Sequence, residues 1–391
     1  MKQLIINNQK KIFFAIIILY VFILFPLVRL GEIYRYFILP IFITTLIFIT
    51  YSNLKKKFFY KKKNIYELIF ISLLFLISFL FSNKDFQLFK NYIYFLLTIY
   101  IYISLIRYEN YEYSIFISKT LSLLINIAAF FFLVWTFYFY IFECYNGINN
   151  HCSVVYVTRQ FHYHIIYNTN LFNIFLIFAL LQLFTNEKKV NKINFFSISV
   201  LCLSSVSMMV NIIWFLVILN NILKKKFSEK KLGLSLLLSL IILIFFLFTC
   251  NEYIINFLNE NLEKIIVKNL INPGEIESIS WRLEKLADFK LYIISNFFYD
   301  PLKLLFGNEF IQNDNYFHNS FFSIFHFYGI IILVYIIINI LRLNNNFQIF
   351  IILSYFYTTD NLVMHNFSIT FFTWILMASL VNKNRYESNI N

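Results

Sequence analysis

Two side chains in the stretch SWRLEKLADFKLYIISNFFYDPLKLLFGNEFIQNDNYFHNSFFSIFHFYGIIIL, from Ser280 to Leu333, have the chemistry of an anion-handling site. Arg282 offers a permanently charged fork of donors suited to a phosphate or another oxyanion. His318 offers an imidazole whose ordinary pKa of about 6.5 leaves it neutral near pH 7 and able to accept a proton. Around Arg282, the residues Trp281, Lys285, Asp288 and Tyr292 recur at helical spacing, which predicts a polar, aromatic-flanked face on a helix from about Ser278 to Phe298, after a break at Pro273-Gly274. His318 and Asn319 stand at the mouth of a long apolar run. Alone, neither residue is specific: an arginine in an outer loop is by default a solvated charge, and a histidine at a helix mouth is by default a cap or an interfacial side chain.

Other polar residues carry less. Arg159 is a second candidate cation, in RQFHYHII, but His162 and His164 beside it lack the carboxylate or cysteine spacing of a metal site. Cys144 and Cys152 share one loop and are eight positions apart, close enough to pair in an oxidising compartment, against the alternative of two unrelated thiols. Cys202 and Cys250 have no evident partner. His326 and His365 read as structural or interfacial, and Asp360 as a loop charge. The sequence calls for no metal and no cofactor.

These residues must be positioned by membrane helices. Of the 391 residues 60% are hydrophobic and only 14% charged, against about 25% charged in a soluble domain. Apolar runs near the roughly 18–20 residues that cross a bilayer recur along the chain. The first follows Lys10-Lys11 and is too long for a signal peptide, with no small-residue cleavage site after it, so it is expected to remain as a membrane helix. The fold class is therefore an all-α, polytopic helix bundle, with spans expected at 12–30, 34–51, 65–82, 91–106, 114–142, 169–185, 194–207, 208–223, 232–249, 320–341, 347–359 and 367–381. Twelve crossings with both termini in the cytoplasm leave 22 lysines and arginines inside, counting Lys119, and 11 outside. The net charge of +13 sits in short clusters between apolar runs, a topology signal and not a nucleic-acid footprint. The abundance of Phe, Tyr, Ile, Asn and Lys is the bias of an AT-rich genome, so aromatic stripes receive no functional weight.

Residues 194–223 give 30 residues between two basic clusters, whereas two full crossings need about 40. Two short helices meeting near Ser204–Ser207 keep both clusters on one side, and such a turn should be buried in protein. Two outer loops stand out, 143–169 and 250–319. The chain thus divides into membrane helices over 1–249, a long outer loop over 250–319, and membrane helices with a cytoplasmic tail over 320–391. The long loop holds ten acidic and six basic residues, so a cationic pocket in it must be local. Charges within the spans are nearly absent; Glu67 and Lys119 lie near helix ends, where they can snorkel.

The order of an arginine on an amphipathic helix, a DPLKLLFG turn, and His-Asn at the next helix resembles the O-antigen ligase and polymerase family. Arg282 with Leu286 matches that family's Arg-x3-Leu pattern, and His318-Asn319 with Gly329 matches its His-Asn-x9-Gly pattern. YNTNLFNIFLIFALL, from Tyr167 to Leu181, resembles the family's Asn-rich entry to a helix and points to Asn170. Twelve spans with one long outer loop before the tenth fit the same family. Two departures stand beside these matches. Ile332 occupies a position where the family has a small or hydroxyl residue, and SSVSMMVN, at the turn after the seventh span, lacks an arginine that members often carry. Arg159, Lys285 or Lys290 would have to replace that cation.

The resemblance implies a glycosyltransferase of the bacterial inner membrane. It would move a glycan from an undecaprenyl-diphosphate carrier to lipid A-core on the periplasmic face, or, as a polymerase, join repeat units on the same carrier. Arg282 and His318 would be catalytic, and Asn319, Lys285, Arg159 and Asn170 would contact substrate. The expected partners are the polyprenyl-linked donor, a lipid-linked or glycan acceptor and membrane lipids, with no nucleic acid. A glycolipid flippase is a rival from another class; it should line a central path with polar groups, and the scarcity of charge within the spans argues against it.

Overall fold

The computed structural model describes residues 62–81, 86–107, 111–145, 169–184, 191–205, 207–223, 231–247, 249, 273–308, 319–358 and 367–390, together with part of 40–50; some positions in these ranges, 169–171 and 273–283 among them, are described by backbone alone. Among the described residues the chain is all-helical. The helices are α1 (Lys62–Phe81), α2 (Phe86–Arg107), α3 (Tyr111–Phe139, continued by a π-helical stretch, Tyr140–Tyr145), α4 (Thr169–Phe184), α5 (Lys192–Leu203) and α6 (Met208–Leu223). They continue with α7 (Lys231–Leu247), α8 (Pro273–Tyr299), α9 (Pro301–Phe306), α10 (Ser320–Leu341), α11 (Asn346–Thr358) and α12 (Phe367–Ile390). Two stretches, Ile117–Phe142 and Ser320–Leu341, are long and apolar enough to cross a membrane, and several other helices are apolar but shorter.

The chain forms two compact units, one of residues up to Lys61 with Thr98–Ser228 and Phe371–Asn391, the other of Lys62–Leu97 with Glu229–Thr370. In the first, α5 and α6 are separate helices, and the turn between them buries Ser204 and Ser205. Ser205 Oγ donates to Asn173 Oδ1 on α4 at 3.0 Å, and Ser204 Oγ donates back to the Leu201 carbonyl at 2.9 Å, so the turn's polar groups are satisfied within protein. Trp214 Nε1 braces the hairpin by donating to Ser199 Oγ. At the other end of these helices, Asn194 Oδ1 accepts from Ser122 Oγ and Asn126 Nδ2 on α3.

α12 runs past the expected end at 381, as far as Ile390, and the reason lies in its charged residues. Asn382 Nδ2 and Arg385 Nη1 donate to the carbonyls of Leu105 and Ile106, in the last turn of α2, while Lys383 Nζ donates to the Gln182 carbonyl in the last turn of α4. The last four carbonyls of a helix have no partner of their own and carry partial negative charge, so cations are favoured there. Lys383 is accordingly buried. The helix ends that the charge division assigns to one side, those of α2, α4 and α12 with the starts of α3 and α5, lie together in this unit.

In the second unit α1 and α10 run antiparallel. Glu67 Oε1 near the start of α1 meets Arg342 Nη2, just past the end of α10, at 2.7 Å, and Arg342 Nη1 donates to Asn339 Oδ1. Glu67, placed from the sequence near a helix end where it can snorkel, is paired here, and its side chain is 12% exposed. Asn344 then takes the left-handed conformation at φ 52, as asparagine does after a helix end, and Asn345 caps α11 by accepting from Phe347 N and Gln348 N.

Candidate functional site

The motif between Ser280 and Leu333 is carried by α8, α9 and the first half of α10, all in the second unit. α8 begins at Pro273, five residues before the predicted start, so Pro273-Gly274 is its first turn and not a break before it. Proline suits that place because its missing N–H would be unpaired there anyway. Along α8, Leu286 and Phe289 face inward and are buried, while Glu284 and Asp288 are exposed. Phe289 stacks on Phe322 at 4.2 Å and meets Phe325 edge-on at 5.4 Å, and Tyr292 packs its ring on His326 at 4.5 Å. Together with Ile293, Leu304 and Leu333 these rings join the three helices. Tyr292, expected on a polar, aromatic-flanked face, packs inward on this cluster. Its hydroxyl donates to the Lys303 carbonyl at 3.4 Å, and burial, then the Asp300 carboxylate, push its phenol above the ordinary range.

α9 is short because Pro301 starts it and Gly307, at φ 95, stops it. It docks against a break in α10 at Gly329, where φ 79 and ψ 173 interrupt the helix. A side chain at Gly307 would meet the Phe327 carbonyl oxygen at 2.2 Å, and one at Gly329 would meet the Leu305 carbonyl oxygen at 2.1 Å. Each glycine thus lets the two backbones touch. The break leaves carbonyls of α10 without helical donors. Asn308 N donates to the His326 carbonyl at 2.7 Å, and Ser78 Oγ on α1 reaches the carbonyls of Tyr328 and Phe306.

Asn319 caps α10, its Oδ1 accepting from Phe321 N at 2.9 Å and Phe322 N at 3.1 Å, and it is buried. Of the matched motif residues, Leu286, Asn319 and Gly329 therefore build the corner. Arg282 lies on α8 and is described by backbone alone, and His318, next to Asn319, lies outside the described residues. The ring contacts at 289–322 and 292–326 run in the same direction along α8 and α10. A rise of 1.5 Å per residue then carries position 282 about 10 Å back from Phe289, against about 5 Å from Phe322 back to Asn319, so Arg282 is carried about 6 Å beyond the level of Asn319. Lys285 Nζ pairs with Asp288 at 3.2 Å, which cancels its charge locally.

Arg159 lies outside the described residues, as do His162, His164, His365 and Asp360, and Asn170 is in the first turn of α4 by backbone, in the other unit. His326, read from the sequence as structural or interfacial, is structural: it is buried, and its ring and carbonyl sit at the meeting point of α8, α9 and α10. One contributor was not singled out in the sequence. Asn173, three residues after Asn170, holds the turn at Ser205. Ile332, where the resembled family has a small or hydroxyl residue, is buried as ordinary apolar packing. No protein-family model, no curated protein and no solved structure matches the chain.

Proposed function

We propose that the chain is a multi-pass inner-membrane glycosyltransferase of the O-antigen ligase type, moving a glycan from an undecaprenyl-diphosphate carrier to lipid A-core on the periplasmic face. The observation that carries this reading is the corner of α8, α9 and α10, where the matched motif residues Leu286, Asn319 and Gly329 each have a structural task and bring Arg282 to the mouth of α10. In the reaction the acceptor hydroxyl attacks the anomeric carbon, its proton passes to His318, and the bond to the diphosphate breaks with its electron pair leaving on the diphosphate. Arg282 faces the negative charge that develops there. Asn319 caps α10 directly after His318 in the sequence, and Lys285 remains a candidate substrate contact, as do Arg159 and Asn170 on the sequence alone.

Twelve crossings with both termini in the cytoplasm belong to the same proposal. The charge division supports them, and so does the meeting of like-assigned helix ends in the first unit and of Glu67 with Arg342 in the second. Reporter fusions at Lys62 and Lys226 should report cytoplasm, and fusions near Asn150 and Asn313 periplasm; an outside signal at Lys226 refutes the hairpin topology. A polymerase acting on the same carrier is the second reading, favoured by Ile332. The glycolipid profile of a deletion strain separates the two: total loss of glycan from lipid A-core is the ligase result, and a single repeat unit still attached is the polymerase result. Within that assay Arg282→Ala and His318→Ala should each lose about a hundredfold or more in transfer at normal protein level. Arg282→Lys should also fail, because a point charge does not reproduce a bidentate contact. Full activity in either alanine variant refutes the assigned role.

A further inference from the structure

We propose that α8 does not lie flat on the membrane but enters the outer leaflet near Lys290, so that the α8–α9 hairpin is a re-entrant element whose outward face contacts lipid acyl chains. The proposal rests on α10 being a crossing and does not depend on the transferase reading. The first support is the outward face of α8 itself. It is charged before residue 290, with Glu284 and Asp288 exposed, and mainly apolar after it, with Leu291, Ile294, Phe297 and Phe298 exposed around Ser295, whose Oγ donates back to the Tyr292 carbonyl; Leu302 and Leu305 of α9 extend the apolar part. A helix lying in the interface plane keeps one polar and one apolar face along its whole length. A switch of character along a single face is the pattern of a helix that passes from water into hydrocarbon.

The second support is depth. The switch falls at the level where Phe289 stacks on Phe322, two residues into α10. Gly329, where α9 docks, is nine residues from Ser320, about 13 Å of rise below the outer end of α10. Ser78, which bonds the same junction, is three residues from the end of α1, about 5 Å below its outer end. Both rulers place the junction inside the outer half of a hydrocarbon layer about 30 Å thick.

The third support is that the hairpin is built for a medium without water. Its turns are closed internally: Asp300 N donates to the Asn296 carbonyl, Lys303 N to Asp300, Gly307 N to Lys303 and Asn308 N to His326. Its one pair of opposite charges beyond residue 290, Asp300 and Lys303, meets at 3.5 Å. Below the break, α10 presents Ile330, Val334, Ile338 and Leu341 outward, an exposed apolar stripe of the same kind on a helix long enough to span. The hairpin would thereby hold Arg282 at headgroup height while its tip sits among the acyl chains, the place from which a lipid-linked substrate arrives.

Spin labels test the depth. In the full chain with Cys144, Cys152, Cys202 and Cys250 changed to serine, single cysteines at 284, 291, 294, 298 and 338 are labelled and the protein is placed in phosphatidylethanolamine–phosphatidylglycerol vesicles. Collision rates with a water-soluble nickel chelate should fall several-fold from 284 to 291 and again from 291 to 298, while collisions with oxygen rise. Position 338 should behave as lipid-facing; nickel access there removes the crossing and with it the proposal. Nickel access at 294 and 298 equal to that at 284 overturns the insertion, and equal shallow depth at 291 and 298 overturns the dip. A second measurement leaves the cysteines untouched: benzoylphenylalanine at 298 should crosslink phospholipid on irradiation and at 284 should not, and absence of lipid adducts at 298 refutes the contact.

Discussion

Changing Gly329 to alanine tests whether the break in α10 is what holds the outer-loop hairpin. Backbone at φ 79 and ψ 173 is almost confined to glycine, and forcing another residue into such a region costs about 1–3 kcal/mol. The added Cβ would also lie 2.1 Å from the Leu305 carbonyl oxygen, a backbone atom that moves only if α9 retreats. Retreat breaks the bond from Asn308 N to the His326 carbonyl and that from Ser78 Oγ to the Phe306 carbonyl, each worth about 1 kcal/mol net. The expected loss is therefore about 3–5 kcal/mol, large beside the total of about 5–15 kcal/mol of a typical domain. The assay is the temperature at which half of the detergent-purified protein stays monodisperse, with hydrogen exchange at Asn308 as a local reporter. Ile330→Ala, the exposed neighbour, serves as the control and should change little. If Gly329→Ala matches that control in melting and keeps Asn308 protected, the docking of α9 into the break is refuted.

Neutralising Glu67 or Arg342 singly should destabilise by about 1–3 kcal/mol, less than for a fully buried pair because both groups keep some water, and the double variant Glu67→Gln with Arg342→Gln should recover part of it in a thermal double-mutant cycle. Lys383→Met keeps the stem but removes the donor to the Gln182 carbonyl and should cost about 1–2 kcal/mol, whereas Lys383→Arg should cost less; equal melting for Met and the parent refutes the capping role. A Cys144–Cys152 disulfide should leave both thiols resistant to alkylation in unreduced protein; mass spectra with both alkylated remove it.

The positions of most helices are legible because long apolar runs bounded by charges leave few alternatives. α10 spans the same 22 residues that hydropathy assigns, and the hairpin follows from a length too short for two full crossings and too basic at both ends for one. The break inside α10 is not legible in the same way. SFFSIFHFYGIIILVYIIINIL reads as one uninterrupted apolar helix, and a lone glycine in it costs only about 1 kcal/mol if the helix runs straight. What breaks it is a tertiary partner, the α9 backbone, which no local pattern encodes. The end of α12 fails for a related reason. LVNKNRYESNI reads as a charged tail until the open carbonyls of α2 and α4 are seen to need its donors. Asparagines also cap α5, α10 and α11, a role that their abundance in the sequence does not single out.

The candidate site divides in the same manner between what spacing encodes and what packing decides. A motif of Arg-x3-Leu and His-Asn-x9-Gly contains two residues with the chemistry of phosphate binding and proton transfer, and three that have none. Those three explain the spacing. Leu286 sits one helical turn from position 282 and is buried, which fixes the inner face of α8. Asn319 ends the loop and starts α10 directly after His318. Gly329 is ten residues on, at the depth where α9 must approach closely enough to tie the far end of the same loop back to the helix. Moving the glycine one position along would turn the break by about 100° around the helix axis, away from α9. The interval between Asn319 and Gly329 is therefore a length requirement of the hairpin.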